Sequence, residues 1–362
     1  MRDEGAQGKA PCRARNEFDF INRIRRRAQA HSAALKSSAK SFPSSLIPHP
    51  SSLLAIGDDA ALVAQHSGRS TVITTDLLVE DIDFRRATTP ARALGHKALA
   101  VSLSDIAAMG ARPRWALLSV GVPARVWRTR FLDDFYAGLF ALAARTGTTL
   151  VGGDVSRTPE RIVIDSIVLG EVADGRAVLR AGARPGDHIF VTGALGGAGA
   201  GLRILEDRKR APRRRTTAHV QLVQRQQRPE PRLGWGALLG EERLASAMID
   251  ISDGLSSDLA HLCRASGVGA LVDAARIPAD PLITRAGIAA PDALALALDG
   301  GEDFELLFTV RPRHVKRLPP ALDGVPVTRI GEVRARAAGL KIILDGRARP
   351  LRPAGFAHFR GD

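Results

Sequence analysis

Six short acidic clusters are spread along 362 residues, each where a predicted strand or helix meets a turn. They are Asp58-Asp59, Thr74-Thr75-Asp76, Asp105, Gly152-Gly153-Asp154, Asp250-Ile251-Ser252-Asp253 and Gly301-Glu302-Asp303. Carboxylates beside glycines and hydroxyls, in a chain of formal charge +14, form a donor set for hard cations. Their scatter constrains the fold, because acids from both halves must converge in space if they are to act together. Magnesium favours a few carboxylates with waters and substrate phosphates over a full protein cage. Several clusters therefore indicate several ions around a polyphosphate, and the chemistry indicated is phosphoryl transfer.

The chain is long enough for two domains with a core in each. Cys12 and Cys263 are too few and too far apart for a disulfide framework or a cysteine metal site. The nine histidines show no ligand spacing that suits zinc. No apolar run approaches the roughly 18 residues of a membrane-spanning helix, and the N-terminus has no apolar signal core. A reducing, cytoplasmic enzyme without a membrane partner is expected. Residues 207–232 hold nine Lys/Arg against two acids, a surplus of seven and so half the net charge. The two runs there, Arg208-Lys209-Arg210 and Arg213-Arg214-Arg215, have no aromatic between them to stack on a base. A solvated basic loop is preferred to a nucleic-acid patch.

Residues 1–15 are read as a disordered basic tail. An N-terminal domain over 16–180 follows, with a short helix from Glu17 to about Ala30 and a flexible Ser-rich loop at 32–52. Thr71–Thr75 is a β-branched strand expected to deliver Asp76 at its end. Ala91–Met109 is helical with Asp105 inside it, Trp115–Val122 a strand, and Arg128–Arg145 an amphipathic helix stopped by Gly147. Strands at Thr149–Val151, leading into Gly152-Gly153-Asp154, and at Ile162–Leu169 complete this half.

A C-terminal domain over 181–362, carrying the basic insertion, opens with strand His188–Thr192, a glycine-rich turn and a helix at about Ala200–Glu206. A helix over Leu255–Ala265 is expected to be capped by Ser252 or Asp253. Strands follow at Leu306–Val310 and Val327–Ile330. The alternation predicts an α/β (α+β) sandwich of two domains.

Several nucleotide motifs are absent. No G-x-G-x-x-G register fits Gly193–Gly201, which is read first as a tight, closely packed strand-to-helix turn. There is no GxxxxGK[ST] and no HRD or DFG set. Asp58-Asp59 and Gly301-Glu302-Asp303 could each be a surface turn taken alone. Asp105, among Leu103, Ile106, Ala107, Ala108 and Met109, is more telling, since an uncompensated buried Asp is costly.

The ordered set resembles the thiamine-monophosphate kinase family of the aminoimidazole-ribotide synthetase superfamily. The matching segments are Ile56–Ala61, Thr74–Glu80, Lys97–Ala111, Gly152–Asp154, Arg180–Asp187, Ile249–Leu255 and Gly300–Leu306. The resemblance implies a two-domain fold of that superfamily, with an N-terminal half that forms a homodimer and a site between the domains. It implies ATP-dependent phosphorylation of thiamine monophosphate to thiamine diphosphate with several magnesium ions. By motif position, Asp59, Thr74, Thr75, Asp76, Asp105, Asp154, Asp250 and Asp253 resemble metal ligands, with Asp105, Asp250 and Arg180 central to catalysis. Gly153, Asp154, Arg180 and Ser252 resemble nucleotide contacts. Glu302 and Phe356 resemble substrate contacts, and Asp83 stands where many relatives have a histidine. The alternatives are another ATP-using synthetase of the superfamily or a nucleic-acid-binding protein.

Overall fold

In the computed structural model the β-branched run becomes a long strand, β3 (Arg69–Val79). It lies in a sheet with β1 (Leu53–Leu54), β2 (Ala61–Ala64), β4 (Arg112–Pro123), β5 (Thr149–Thr158) and β6 (Val163–Ala173). The order is β1-β2-β3-β6-β4-β5, antiparallel except for the parallel β4–β5 pair. The structure describes residues 53–54, 58–64, 68–206 and 216–358. The tail, the helix expected at 17–30, the Ser-rich loop and the arginine runs at 208–215 lie outside the described residues.

Two sequence expectations stop short. β3 does not end at Asp76 but runs on to Val79, and Gly152-Gly153-Asp154 sits inside β5 rather than after a strand. Polar residues hid the continuation, because their partners across the sheet satisfy the ladder. Since successive side chains alternate between faces, Thr74, Asp76 and Leu78 look one way with Ser166, Ile164 and Val168. Thr75, Leu77, Asp165, Ile167 and Leu117 look the other way.

Helices α1 (Ala91–Ala108) and α2 (Phe131–Thr146) pack against each other, with α1 laid on the first of these faces. A Cβ on Gly95 of α1 would run into the carbonyl of Phe135, and one on Gly138 of α2 into that of Arg92. The two backbones therefore touch directly, which only glycine permits. α1 is buried almost all round, including His96, Lys97, Ser102 and Ser104. Such a helix needs polar partners on several sides.

The second half begins with β7 (His188–Thr192) and α3 (Gly197–Glu206). Asp303 accepts the N–H groups of Gly196 (2.6 Å) and Ala198 (3.2 Å), so the start of α3 already holds an anion of the chain itself. Next come α4 (Thr217–Gln227) and α5 (Leu233–Glu241). These correct the expected solvated loop: from Thr217 the basic segment is folded, with Ala218, Leu222, Val223 and Gln226 buried on α4. Arg232 donates through Nε (2.6 Å) to buried Glu305 and is no solvated charge.

Further on lie β8 (Ala245–Asp250), α6 (Leu255–Ser266), β9 (Gly269–Asp273), α7 (Ala290–Asp299), β10 (Leu306–Val310), β11 (Ala321–Leu322), β12 (Val325–Arg334), β13 (Leu340–Leu344) and β14 (Arg347–Pro350), besides short helical turns. The second sheet runs β14-β13-β9-β12-β7-β10-β8, with β11 paired to β12. Its edge strand β8 lies against α1, and residues Ser51–Phe356 form one unit. No helix among the described residues is long and apolar enough to cross a membrane.

Candidate active site

Three side chains from distant segments meet at α1. Asp59 comes from the turn before β2, Asp105 from the last turn of α1, and Asp250 is the final residue of β8. Their carboxylate oxygens lie within 4.8 Å of one another. The Thr74 hydroxyl donates to Asp105 and lies 3.4 Å from the Asp59 carbonyl oxygen. Two serines of α1 hold the flanking acids: Ser102 donates to Asp76 and Ser104 to Asp250, each at 2.7 Å. The Ser104–Asp250 bond ties the first half of the chain to the second.

Arg180 closes the cluster from the connecting segment. Its guanidinium donates to both oxygens of Asp59, at 3.1 and 2.8 Å, and its backbone N–H to Asp58 at 3.1 Å. Bidentate pairing of this kind fixes geometry as well as charge. One arginine does not neutralise the group. Loss of water and the nearby Asp76, Asp250 and Asp59 push the Asp105 carboxyl well above its ordinary range. Burial and the adjacent Asp59 raise Asp250 to about 8, and burial raises Asp76 to about 6 and Asp58 to about 7. His261 is held neutral, its pKa lowered to about 4 by burial and the Arg180 charge.

Crowded carboxyls that retain protons near neutrality are poised to exchange them for a cation. Every donor here is an oxygen, without cysteine or histidine, which suits a hard divalent ion such as magnesium. The residues therefore fit that group.

Other predicted residues stand elsewhere. The Thr75 hydroxyl donates to Asp165 at 2.6 Å on the outer face of the first sheet. Asp154, paired through Ser119 with Asp165, shares that face on exposed edge strand β5. Gly153 has φ of 150°, and a Cβ there would strike the Leu118 backbone. The structure thus divides the proposed ligands between two faces of one sheet, with Thr74, Asp76, Asp105 and Asp250 on the α1 side.

The turn after β8 corrects a second expectation. Neither Ser252 nor Asp253 caps α6. The N-cap is Gly254 with φ of 120°, and Asp258 accepts the N–H groups of Asp253 (3.2 Å) and Gly254 (3.0 Å). The cap is therefore supplied from within the helix rather than by the turn's own side chains.

Glu302 abuts the same turn, its N–H donating to the Ser252 carbonyl at 2.7 Å. Its carboxylate is paired with Lys97, which is 1% exposed, and accepts from Gln226 at 3.3 Å. Asp83 accepts from the Val79 N–H at 2.7 Å, and its charge raises the Asp76 carboxyl. The Phe356 N–H donates to the Asp253 carbonyl at 3.0 Å.

Sequence reasoning named Asp58 only within an acidic cluster and passed over Lys97, Ser102 and Ser104 as site members. The two serines had a signal, lying within one turn of Asp105 in the apolar second half of the helix. Asp165 had none, because only strand register sets it beside Thr75.

Two family models match the chain, the AIR synthase related protein N-terminal domain over residues 57–172 and its C-terminal domain over 184–342. The thiamine-monophosphate kinase of Salmonella typhimurium is 42% identical over 308 residues, covering 84% of this chain and 91% of that protein. That of Bacillus subtilis is 36% identical over 318 residues, covering 87% and 96%. A solved structure of AaThiL complexed with AMPPCP and TMP superposes with a TM-score of 0.75 at 30% identity, covering 95% of this chain and 97% of that one. The thiamine-monophosphate kinase structure from Stenotrophomonas maltophilia gives 0.70 at 34% identity, covering 92% and 98%. With both domain models matched and such relatives covered nearly end to end, the chain belongs to the thiamine-monophosphate kinase family of AIR synthase related proteins.

Proposed function

We propose that this chain transfers the terminal phosphoryl group of ATP to thiamine monophosphate, giving thiamine diphosphate and ADP. The observation that carries the reading is the convergence of Asp59, Asp105 and Asp250 within 4.8 Å, from both halves of the chain, beside Arg180. The relative bound to AMPPCP and TMP supports the substrate pair.

The acceptor is a phosphate monoester whose second pKa is about 6, so it is already anionic near neutrality and needs no strong general base. The barrier is repulsion between two polyanions meeting in line. Asp59, Asp76, Asp105 and Asp250, with Thr74, are the residues that would hold magnesium. Bound there, magnesium would supply the positive charge that offsets the phosphates. Arg180 contributes a fixed cation and, through Asp58 and Asp59, keeps the first acidic turn in register with the second domain. No side chain becomes phosphorylated.

Asp253 and Ser252 are assigned to ions and nucleotide, and Glu302, Asp83 and Phe356 to the acceptor. Asp154 and Thr75 occupy the outer face of the first sheet, with Gly153 next to Asp154 on β5. That face also carries Leu77, 59% exposed, and ends in the exposed edge strand β5. Both features support a homodimer formed through the N-terminal domain (16–180), which would bring these residues to a shared site. The protein is placed in the cytoplasm.

Purified full-length protein, given ATP, magnesium chloride and thiamine monophosphate, is expected to form thiamine diphosphate. Absence of that product, or trapping of a phospho-enzyme, would overturn the mechanism.

A further inference from the structure

The loop between α7 and β10, residues 300–305, holds a backbone conformation that side chains resist. Glu302 and Phe304 have φ of 57° and 50°, in the left-handed region where a Cβ crowds the neighbouring carbonyl. Such residues persist only where their surroundings over-determine them. Here the backbone is tied to the acidic turn: the Glu302 N–H donates to the Ser252 carbonyl at 2.7 Å and the Phe304 N–H to that of Ile251 at 2.9 Å.

The Glu302 side chain is gripped from two other elements. Lys97 of α1 pairs with one carboxylate oxygen, Oε1, and Gln226 of α4 donates to the other, Oε2, at 3.3 Å. Both partners are buried, at 1% and 3% exposure, whereas the Glu302 side chain is 30% exposed. A buried ammonium without its carboxylate would be strongly destabilising. Gln226 is equally committed. Its Oε1 is buried with no partner among the described residues, a cost that an apolar side chain of like size avoids. The bond that its amide does make is the one to Glu302.

Charge gives this arrangement its consequence. Glu302 abuts the acidic turn and, under the proposed function, an acceptor that is itself a phosphate anion. A lone carboxylate there would repel that acceptor. Paired with Lys97, its charge is offset, and each of its oxygens keeps a further lone pair with which to accept a hydrogen bond. We infer that Lys97 and Gln226 are positioning residues that act through Glu302. Lys97 cancels its charge, both residues fix its orientation, and together they let an acid take part in holding an anionic acceptor. The inference rests on the proposed function, in which Glu302 is assigned to the acceptor.

The test is steady-state kinetics of thiamine diphosphate formation, with a thermal melt, for full-length Lys97→Met, Gln226→Leu, Glu302→Gln and the double variant Lys97→Met/Glu302→Gln. Lys97→Met keeps most of the apolar stem and deletes the charge. It is expected to raise KM for thiamine monophosphate at least about tenfold, with kcat and KM for ATP changing by less than about threefold. Gln226→Leu is expected to raise the same KM about three- to tenfold. In the double variant Glu302 no longer carries the charge that Lys97 cancels. Its KM should be no higher than that of Glu302→Gln alone, and it should melt above Lys97→Met, having no unpaired buried charge.

An unchanged KM in Lys97→Met, or a double variant whose KM multiplies the two single effects, would overturn the inference. So would a Lys97→Met protein that loses affinity for ATP as much as for thiamine monophosphate, the mark of a merely structural role. Should Lys97→Met fail to fold, Gln226→Leu with and without Glu302→Gln decides by the same comparison. Wild-type protein without turnover would overturn the function itself, and the role of Lys97 with it.

Discussion

Asp250→Asn separates what the cluster does for stability from what it does for activity. Asn has the same shape, and its carbonyl oxygen can still accept from Ser104, so the change removes chiefly charge. Two unit charges about 4.8 Å apart repel by roughly 3 kcal/mol at an effective dielectric of about 20. Burial is the largest cause of the raised Asp250 carboxyl, and Asp59, whose charge Arg180 offsets only in part, is its principal like-charged neighbour.

The sign follows from the raised carboxyl. Folded Asp250 titrates at about 8 against 3.8 for the ordinary group, so the native state binds more protons in that window. Metal-free wild type therefore loses stability as pH rises from about 4 to 8, whereas Asn does not titrate. At pH 8.5 in EDTA the variant is expected to be more stable by about 2–3 kcal/mol, melting about 3–5 °C higher for a unit of this size. Near pH 4 the difference should vanish. Activity goes the other way, with kcat/KM falling at least about 100-fold, close to 3 kcal/mol of transition-state stabilisation. Calorimetric melts across pH and the thiamine diphosphate assay read the two effects. A variant that melts at or below wild type at pH 8.5, or keeps more than about a tenth of kcat/KM, would refute the reasoning.

Magnesium should bind wild type more tightly at pH 8.5 than at 6.5, because Asp76 and Asp250, held near 6 and 8, must shed protons. Titration calorimetry in two buffers of different ionisation enthalpy would show the released protons, and none would contradict the assignment. Gly138→Ala should cost about 1–3 kcal/mol or more, because its methyl meets the Arg92 carbonyl and forces α1 from α2. An unchanged denaturant midpoint would deny that backbone contact. Leu77→Asp, on the outer face of the first sheet, is expected to shift sedimentation from dimer to monomer without lowering the melting temperature by more than a few degrees; an unaltered dimer would place the interface elsewhere.

Much of the site was legible because its signals are local. An aspartate inside the apolar run Leu103–Met109 must find compensation wherever it folds, and it does so with Thr74. Helix α1 and strands β4, β6, β7 and β10 followed from apolar period and β-branching, which read out short-range preferences. Helix α4 was missed because glutamines dominate its composition, and α5 because three glycines interrupt its apolar run. The apolar spacing of Ala218, Leu222 and Val223 acquires meaning only against neighbouring helices, as with Leu222 beside α3. The Ser252 or Asp253 cap failed for a related reason: Asp258, further along, reaches back to the same N–H groups.

By itself the chain's order of residues determined which oxygen donors exist and that some, such as Asp59 and Asp250, sit beside turns, since turn chemistry and strand propensity act over a few positions. Which acids meet was decided in three dimensions. Thr74 and Thr75 are neighbours in sequence, yet pleating sends one to Asp105 and the other to Asp165. Likewise, the elevated carboxyls of Asp105 and Asp250 come from desolvation and from charges remote in sequence, gathered only when β8 docks beside α1.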